Sequence, residues 1–420
     1  MPALKLPPGS VTPRYGSGCI SEIPATMMDL LGVKPSGPKL SSNLLGGIDL
    51  SRVDNVVLLV ADGFGMNEWQ RQKCVGLVKS ISSKGSVRPI TTVFPSTTAA
   101  ALTTLATGLT PQEHALPEWF VYLREVDSVV ATLPFSFIRD YGRETLRGHM
   151  RPRALFDGTT VFKKLRDAGV ATYSFTNGSL VDTTYTKLVH GASRMVPYFG
   201  SSDMTASLRR TVESARGPSF FYVYWSRVDT VEHHYGPNTD ESELEASSIS
   251  FVLQRGFVEK LSRSAARRTL LIVTADHGQI NVNPDKTLYL NMYRSLVRSF
   301  RKTELGGPIT PAGNARDIFL YVEEDRKEEM LELLRRRLAG KATVLRTEDA
   351  IRAGLFGLNR PSRKFRDRVG NILVLPHGRR TIWYRGERGY ELELLGHHGG
   401  LSKDEMTVPL AVGRLSDLQG

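Results

Sequence analysis

Three apolar runs in this chain each stop at an aspartate. Asp54 to Val60 leads into Ala61-Asp62-Gly63, Phe220 to Trp225 into Ser226-Arg227-Val228-Asp229, and Thr269 to Thr274 into Ala275-Asp276-His277-Gly278. His233 lies four residues past Asp229, about one helical turn, so the two can share a face. His397 and His398 stand together between glycines in a polar turn. Turn chemistry accounts for one such aspartate more easily than for three in corresponding places. Carboxylates and imidazoles gathered together repel or stay unpaired unless a cation sits among them. Nitrogen and oxygen donors without a thiolate suit zinc, and they also accommodate manganese or another first-row ion.

A second chemistry is written in Phe94 to Gly108, FPSTTAAALTTLATG. Ser96, Thr97 and Thr98 precede small residues with Leu102, Leu105 and Ala106 at helical spacing, and Gly108 and Pro111 close the run. A hydroxyl therefore sits where a loop enters a helix. Free N–H groups and the positive end of the helix dipole collect there, which favours an anion and lowers the cost of an alkoxide. The same residues would serve equally as an ordinary helix cap, and the spacing alone does not choose among the three hydroxyls.

The elements that must position these groups follow from the patterns. The continuous apolar runs read as strands buried on both faces of a parallel sheet, and open α/β sheets bind ligands at the carboxyl edge of such strands. Val161 to Ala168 reads as a helix and Val170 to Phe175 as a strand, another αβ step. Glu241 to Ser262 reads as a helix softly interrupted at Gly256. The fold expected is α/β, a central mostly parallel sheet flanked by helices. Asp317 to Val322, Arg326 to Leu338, Ala342 to Leu345 and Glu348 to Gly354 alternate strand and helix and suggest a small inserted α+β cap. The expected organisation is a Pro-, Gly- and Ser-rich arm over 1–47, lying on the surface or closing over a cleft. A core over 48–300 and 370–420 and a cap over 301–369 complete it. Leu123 to Pro152 shows no period and is expected to be a loop or lid. His114 reads as a turn histidine.

The 420 residues are ordinary in composition for a globular protein, 40% hydrophobic and 23% charged. No apolar run approaches the ~20 residues needed to span a bilayer. The start, MPALKLPPGSVTPRYG, lacks an apolar signal-type stretch, so a cytoplasmic location is expected. Cys19 and Cys74 make neither a disulfide framework nor a cysteine metal cluster. The net charge of +12 suits an anionic substrate. Its arginines are scattered and do not alternate with aromatics, so nucleic-acid binding is not expected.

These motifs together resemble the alkaline phosphatase superfamily, most of all its type I phosphodiesterase/nucleotide pyrophosphatase branch, over about Asp54 to Leu410. The pieces are Asp62-Gly63, Thr98 before Thr107-Gly108 and Pro111, Asp229 to His233 with Gly236-Pro237, Asp276-His277-Gly278, and His398-Gly399. The resemblance implies an alkaline phosphatase-like core and two zinc ions. Asp229, His233 and His398 would hold one ion, and Asp62, Asp276 and His277 the other, joined by Thr98 as nucleophile. It implies hydrolysis of a small-molecule phosphate ester or nucleotide through a phospho-threonine. A phosphomonoesterase or phosphotransferase on the same site, or a metal- and phosphate-binding protein without turnover, are the alternatives. His234 is expected to be exposed or behind the ligands. One departure stands out: Trp119 occupies the place where related nucleotide pyrophosphatases carry a phosphate-binding asparagine. The sulfatase pattern, a Cys or Ser inside C/S-x-P-x-R, is absent around Thr98.

Overall fold

A computed structural model describes residues 4–138, 140, 142–385 and 392–419. Parts of the expected arm (1–3), of the Leu123 to Pro152 loop (139 and 141) and of the expected core (386–391 and 420) lie outside these residues. The main sheet has seven strands in the order Ser86–Thr91, Thr407–Arg414, Thr269–Thr274, Asn55–Ala61, Ser219–Trp225, Ala171–Asn177, Arg194–Tyr198. Only Thr407–Arg414 runs against its two neighbours; the other pairings are parallel. The three central strands are the three apolar runs that end in aspartate. Every residue of Asn55–Ala61 and of Thr269–Thr274 is buried, as strands covered on both faces require. Parallel register aligns Ala61 with Trp225 and Val60 with Thr274, so all three chains leave the sheet at one edge.

Helices cover this sheet. Gly76–Lys84 packs against Thr407–Arg414, and Val161–Asp167 against Ala171–Asn177. The long helix Asp240–Leu253 ends in a π turn over Gln254–Val258, which is the soft interruption expected at Gly256. A Cβ on Gly256 would lie 2.7 Å from the Thr205 methyl, so glycine there lets the helix Ser201–Ser214 approach.

A second sheet, also seven-stranded, runs Ala342–Arg346, Ile372–Pro376, Asp317–Leu320, Ala312–Asn314, Phe120–Leu123, Ser128–Ala131, Ser136–Phe137. It draws on 120–137 and 372–376 as well as on 301–369, so its hydrogen bonds cross both expected edges of the cap. The expected loop after Leu123 thus contains two short strands. Each is too brief, four residues and two, to display an alternation over which a period could be read.

The expected surface arm also differs. Ile20, Ile23, Met27 and Met28 are buried in the main core, and the helix Ile23–Leu30 packs against Thr98–Thr107. Ile20, Ile23 and Met27 stand at helical spacing, which gives the segment an apolar face to bury despite its Pro- and Gly-rich surroundings. Among the described residues no helix is long and apolar enough to cross a membrane.

Candidate active site

The carboxyl edge of the central strands brings the aspartates together. Asp62 N donates to Trp225 O at 2.8 Å, and Asp229 N donates to Asp62 O at 3.1 Å. Gly63, at φ +74°, turns the chain where a Cβ would come within 2.9 Å of the Asp229 Cα. Glycine is needed there for both reasons, the left-handed backbone and the close approach. Gly63 N and His277 N both donate to Asp276 Oδ1, at 3.1 and 3.0 Å. The other Asp276 oxygen, Oδ2, and Asp62 Oδ1 are buried without a hydrogen-bond partner.

The histidines close around these oxygens. His277 Nε2 lies 3.4 Å from both Asp62 Oδ1 and Asp276 Oδ2. The His277 and His398 rings stack with centroids 3.6 Å apart. His398 Nε2 is 3.7 Å from Asp229 Oδ1, and His233 Nε2 is 3.4 Å from the same oxygen. The helix Arg227–Tyr235 supplies that last pair at i and i+4, as the spacing implies. The other ring nitrogens are anchored, His233 Nδ1 to Gly396 O at 2.8 Å and His398 Nδ1 to Ser96 O at 3.0 Å. Such anchoring fixes which nitrogen faces a metal.

All six expected ligands therefore meet in one place. Two triads have ligand atoms close enough to hold an ion: Asp62 with Asp276 and His277, and Asp229 with His277 and His398. His277 belongs to both, and His233 reaches the second through Asp229. The electrostatics without a cation are adverse. Burial first, then Asp276 and Asp229, raise Asp62 well above the carboxylate range. Burial, then His277 and His233, press His398 well below the imidazole range. Orphaned buried oxygens among nitrogen donors are what a bound divalent cation would satisfy, so the residues fit a metal.

The hydroxyl run separates into three roles. Ser96 Oγ donates to Gly400 O at 2.8 Å and accepts from Gly399 N at 3.1 Å, pinning the loop of His398. Thr97 is the N-cap residue, extended at φ −130° and ψ 151°, and its hydroxyl faces Pro117 O at 3.5 Å. Thr98 opens the helix Thr98–Thr107, and its Oγ1 lies 3.1 Å from His277 Nε2. Gly108, at φ +74°, ends that helix.

Several supports carried no sequence signal. Tyr224 O–H donates to Asp62 Oδ2, and Gln279 Nε2 to Asp229 Oδ1. Arg316 and Glu405 form a buried bidentate pair with both contacts at 3.0 Å. Glu405 also accepts from Gly400 N, and its carbonyl accepts from Gly278 N, so it ties the His398 loop to the His277 loop. The sequence reading passed over all of these; the S-x-x-E of Ser402 and Glu405, a capping box in the structure, is the one local signal that could have pointed to any of them.

Glu118 and Asp317 are buried together behind Thr97. Burial raises Glu118 to about 8, and burial followed by the Glu118 charge raises Asp317 well above its ordinary range. Trp119 is 36% exposed. His234 is exposed, and His114 is buried with both ring nitrogens bonded.

The family model of type I phosphodiesterase/nucleotide pyrophosphatase matches residues 56–401. The venom phosphodiesterase CdcPDE of Crotalus durissus collilineatus and venom phosphodiesterase 2 of Crotalus adamanteus are each 24% identical over 215 residues, 50% of this chain. The match spans 24% of the length of each of these relatives. Murine ectonucleotide pyrophosphatase/phosphodiesterase 5 superposes with a TM-score of 0.62 at 19% identity, covering 84% of this chain and 87% of that one. An inactive threonine-to-alanine form of that murine protein is known in complex with AMP. Phosphonoacetate hydrolase of Sinorhizobium meliloti 1021, in complex with phosphonoformate, superposes with a TM-score of 0.59 at 19% identity over 86% and 90% of the two chains. These two likenesses are of fold.

Proposed function

The chain belongs to the type I phosphodiesterase/nucleotide pyrophosphatase family, and from that premise we propose that it is a metal-dependent hydrolase of phosphoric esters, acting on a phosphodiester or nucleotide through a phospho-threonine at Thr98. The observation that supports this best is the meeting of four separate motifs around one hydroxyl. Thr98 Oγ1, at a helix N-terminus, lies beside His277, which touches both orphaned carboxylates.

Asp62, Asp276 and His277 would hold one divalent ion with Thr98, and Asp229, His233 and His398 the other. The nitrogen and oxygen donor set favours zinc, with manganese accommodated. When bound, such ions supply Lewis-acid stabilisation of the threonine alkoxide and of the oxygens that gain charge during transfer. Thr98 Oγ attacks phosphorus while the bond to the leaving oxygen breaks. Water then cleaves the Thr98 ester and restores the hydroxyl. The first N–H groups of Thr98–Thr107 have no intrahelical acceptor, and such groups at a helix N-terminus would stabilise the phosphate oxygens. Ser96 and Glu405 hold the His398 loop in place, and Gln279 orients Asp229.

The charge count favours a diester. The buried Arg316 is committed to Glu405, so it offers no guanidinium to the extra charge of a monoester. kcat/KM for an aryl phosphodiester should exceed that for the matching monoester by about tenfold, or about 1.4 kcal/mol of transition-state binding. The test is a hydrolysis screen of both esters with wild type and Thr98→Ala. Thr98→Ala should abolish turnover while keeping the fold and most of the metal. Near-normal turnover by Thr98→Ala would refute the nucleophile, and a monoester preference would refute the diesterase reading.

A further inference from the structure

Behind the hydroxyl run, and apart from the metal ligands, two carboxyls are buried against each other. Glu118 and Asp317 are both fully buried. The second sheet sets them side by side. Glu118 stands two residues before Phe120–Leu123, and Asp317 opens Asp317–Leu320. Between these strands lies Ala312–Asn314, which pairs Gly313 with Phe120 and Asn314 with Asp317. Glu118 Oε2 accepts from Trp119 N. Glu118 Oε1 and both Asp317 oxygens are buried and receive no donor from the rest of the chain. The two carboxyls face each other at hydrogen-bond range. Two carboxylates are acceptors only, so a bond between them needs a proton.

The charges around the pair require the same. Arg316 and Glu405 are the charged groups that bear on it from the neighbouring elements. Arg316 is committed to Glu405 by two contacts of 3.0 Å, so no cation remains for a second negative charge. Burial raises both carboxyls, and the Glu118 charge raises Asp317 further. Two carboxyls sharing such a place do not both ionise at neutral pH. Among the described residues, the groups of three or more His, Cys, Asp and Glu that could hold a metal leave both of them out.

The pair also touches the two segments that carry Thr98 and His398. The Thr97 hydroxyl reaches Glu118, and Thr97 caps the helix that Thr98 opens. A Cβ on Gly399 would lie 2.6 Å from Asp317 Oδ1 and 3.4 Å from Thr97 Cγ2. The residue after His398 therefore rests on Asp317 and Thr97 together.

We propose that Glu118 and Asp317 share one proton, and that the O–H···O bond so formed is a strap that fastens Thr97 and Gly399, and through them Thr98 and His398, to the second sheet. The two acids touch no reacting atom; they are positioning residues. Their effect on turnover rests on the phosphoesterase reading, whereas the shared proton does not. A bond from a carboxylic acid to a carboxylate is short and strong. In alkaline solution the proton leaves, the two charges repel, and the strap opens.

The test joins infrared spectra to kinetics on the metal-loaded protein. The difference between wild type and Glu118→Gln should show the C=O stretch of a protonated carboxyl at neutral pH, fading as the solution becomes alkaline. An amide in either place offers an N–H donor that does not ionise. Glu118→Gln and Asp317→Asn should therefore keep kcat for an aryl phosphodiester close to wild type at neutral pH, and hold it in alkaline solution where wild type declines. Glu118→Leu can make no such bond and should lower kcat about 10–100-fold with metal content unchanged, because a small displacement of a nucleophile is costly. A difference spectrum without the protonated-carboxyl band overturns the shared proton. So does a third divalent ion in wild type that Glu118→Gln lacks. The strap is overturned by wild-type kcat in Glu118→Leu, by amide variants that lose as much kcat as Glu118→Leu, or by one alkaline profile common to wild type and both amide variants. If Glu118→Leu does not fold, the amide variants decide by their alkaline profiles. Failure of wild type to cleave the ester refutes the phosphoesterase reading and the strap's role in turnover, and the infrared band still decides the proton.

Discussion

Removing the Glu405 carboxylate tests how the two histidine loops are held. Glu405 and Arg316 are 0% and 2% exposed and make two contacts of 3.0 Å. In Glu405→Leu the guanidinium stays buried with the Arg380 carbonyl as its remaining acceptor, and Gly400 N loses its partner. Breaking one side of a buried ion pair costs about 3–5 kcal/mol, whereas replacing both sides with apolar groups is often near neutral. Glu405→Leu should therefore lose about 3–5 kcal/mol in urea unfolding followed by tryptophan fluorescence. Arg316→Met with Glu405→Leu should recover about 2 kcal/mol or more of that loss. Metal retention in chelator competition should fall about 10–100-fold in the single variant, since the His398 loop loses the carboxylate that holds Gly400 N. Burial raises the Glu405 pKa, but Arg316 and the hydrogen bonds from Ser402 and Gly400 outweigh it, and the net shift is downward. A depressed carboxyl contributes stability that is present above its unfolded value of about 4.3 and is lost as pH falls through the lower folded value. The variant should lack this acid limb. A single variant that loses under about 1 kcal/mol, or a double variant no better than the single, would refute the reasoning.

Three further outcomes are expected. Active protein should contain about two divalent ions per chain, and chelators should stop turnover; activity that survives complete metal removal would contradict the site. Gly63→Ala should cost about 1–2 kcal/mol for the left-handed backbone and about 1–3 more for crowding Asp229, read as lower urea stability and weaker metal retention; wild-type values for both would show that the turn can relax. Trp119→Asn should leave metal content alone and raise diester turnover; unchanged or lower turnover would mean the loop geometry does not carry an amide to the phosphate.

Much of the candidate site's geometry was legible before the fold was known, because the residues that meet there lie on local patterns. A buried strand followed within four residues by Asp62, Asp229 or Asp276 places each carboxyl near the same sheet edge in any parallel arrangement. The i, i+4 spacing of Asp229 and His233 needs only one helical turn. The strand Thr269–Thr274 and the helix ending at Gly108 were readable for the same reason: burial and capping write themselves into adjacent residues. Long-range partners have no such signature. Nothing near Arg316 announces that Glu405, 89 residues on, will neutralise it. Nothing in 120–137 announces that its short strands extend the sheet of 312–376. Likewise the spacing of Ser96, Thr97 and Thr98 left their roles open. The tertiary structure divides them, since Gly399 and Gly400 come back to occupy Ser96, and His277 comes back to face Thr98. Patterns of three to seven residues determine which elements form and which residues stand at their ends. Which of those ends touch depends on burial and pairing summed over the whole chain.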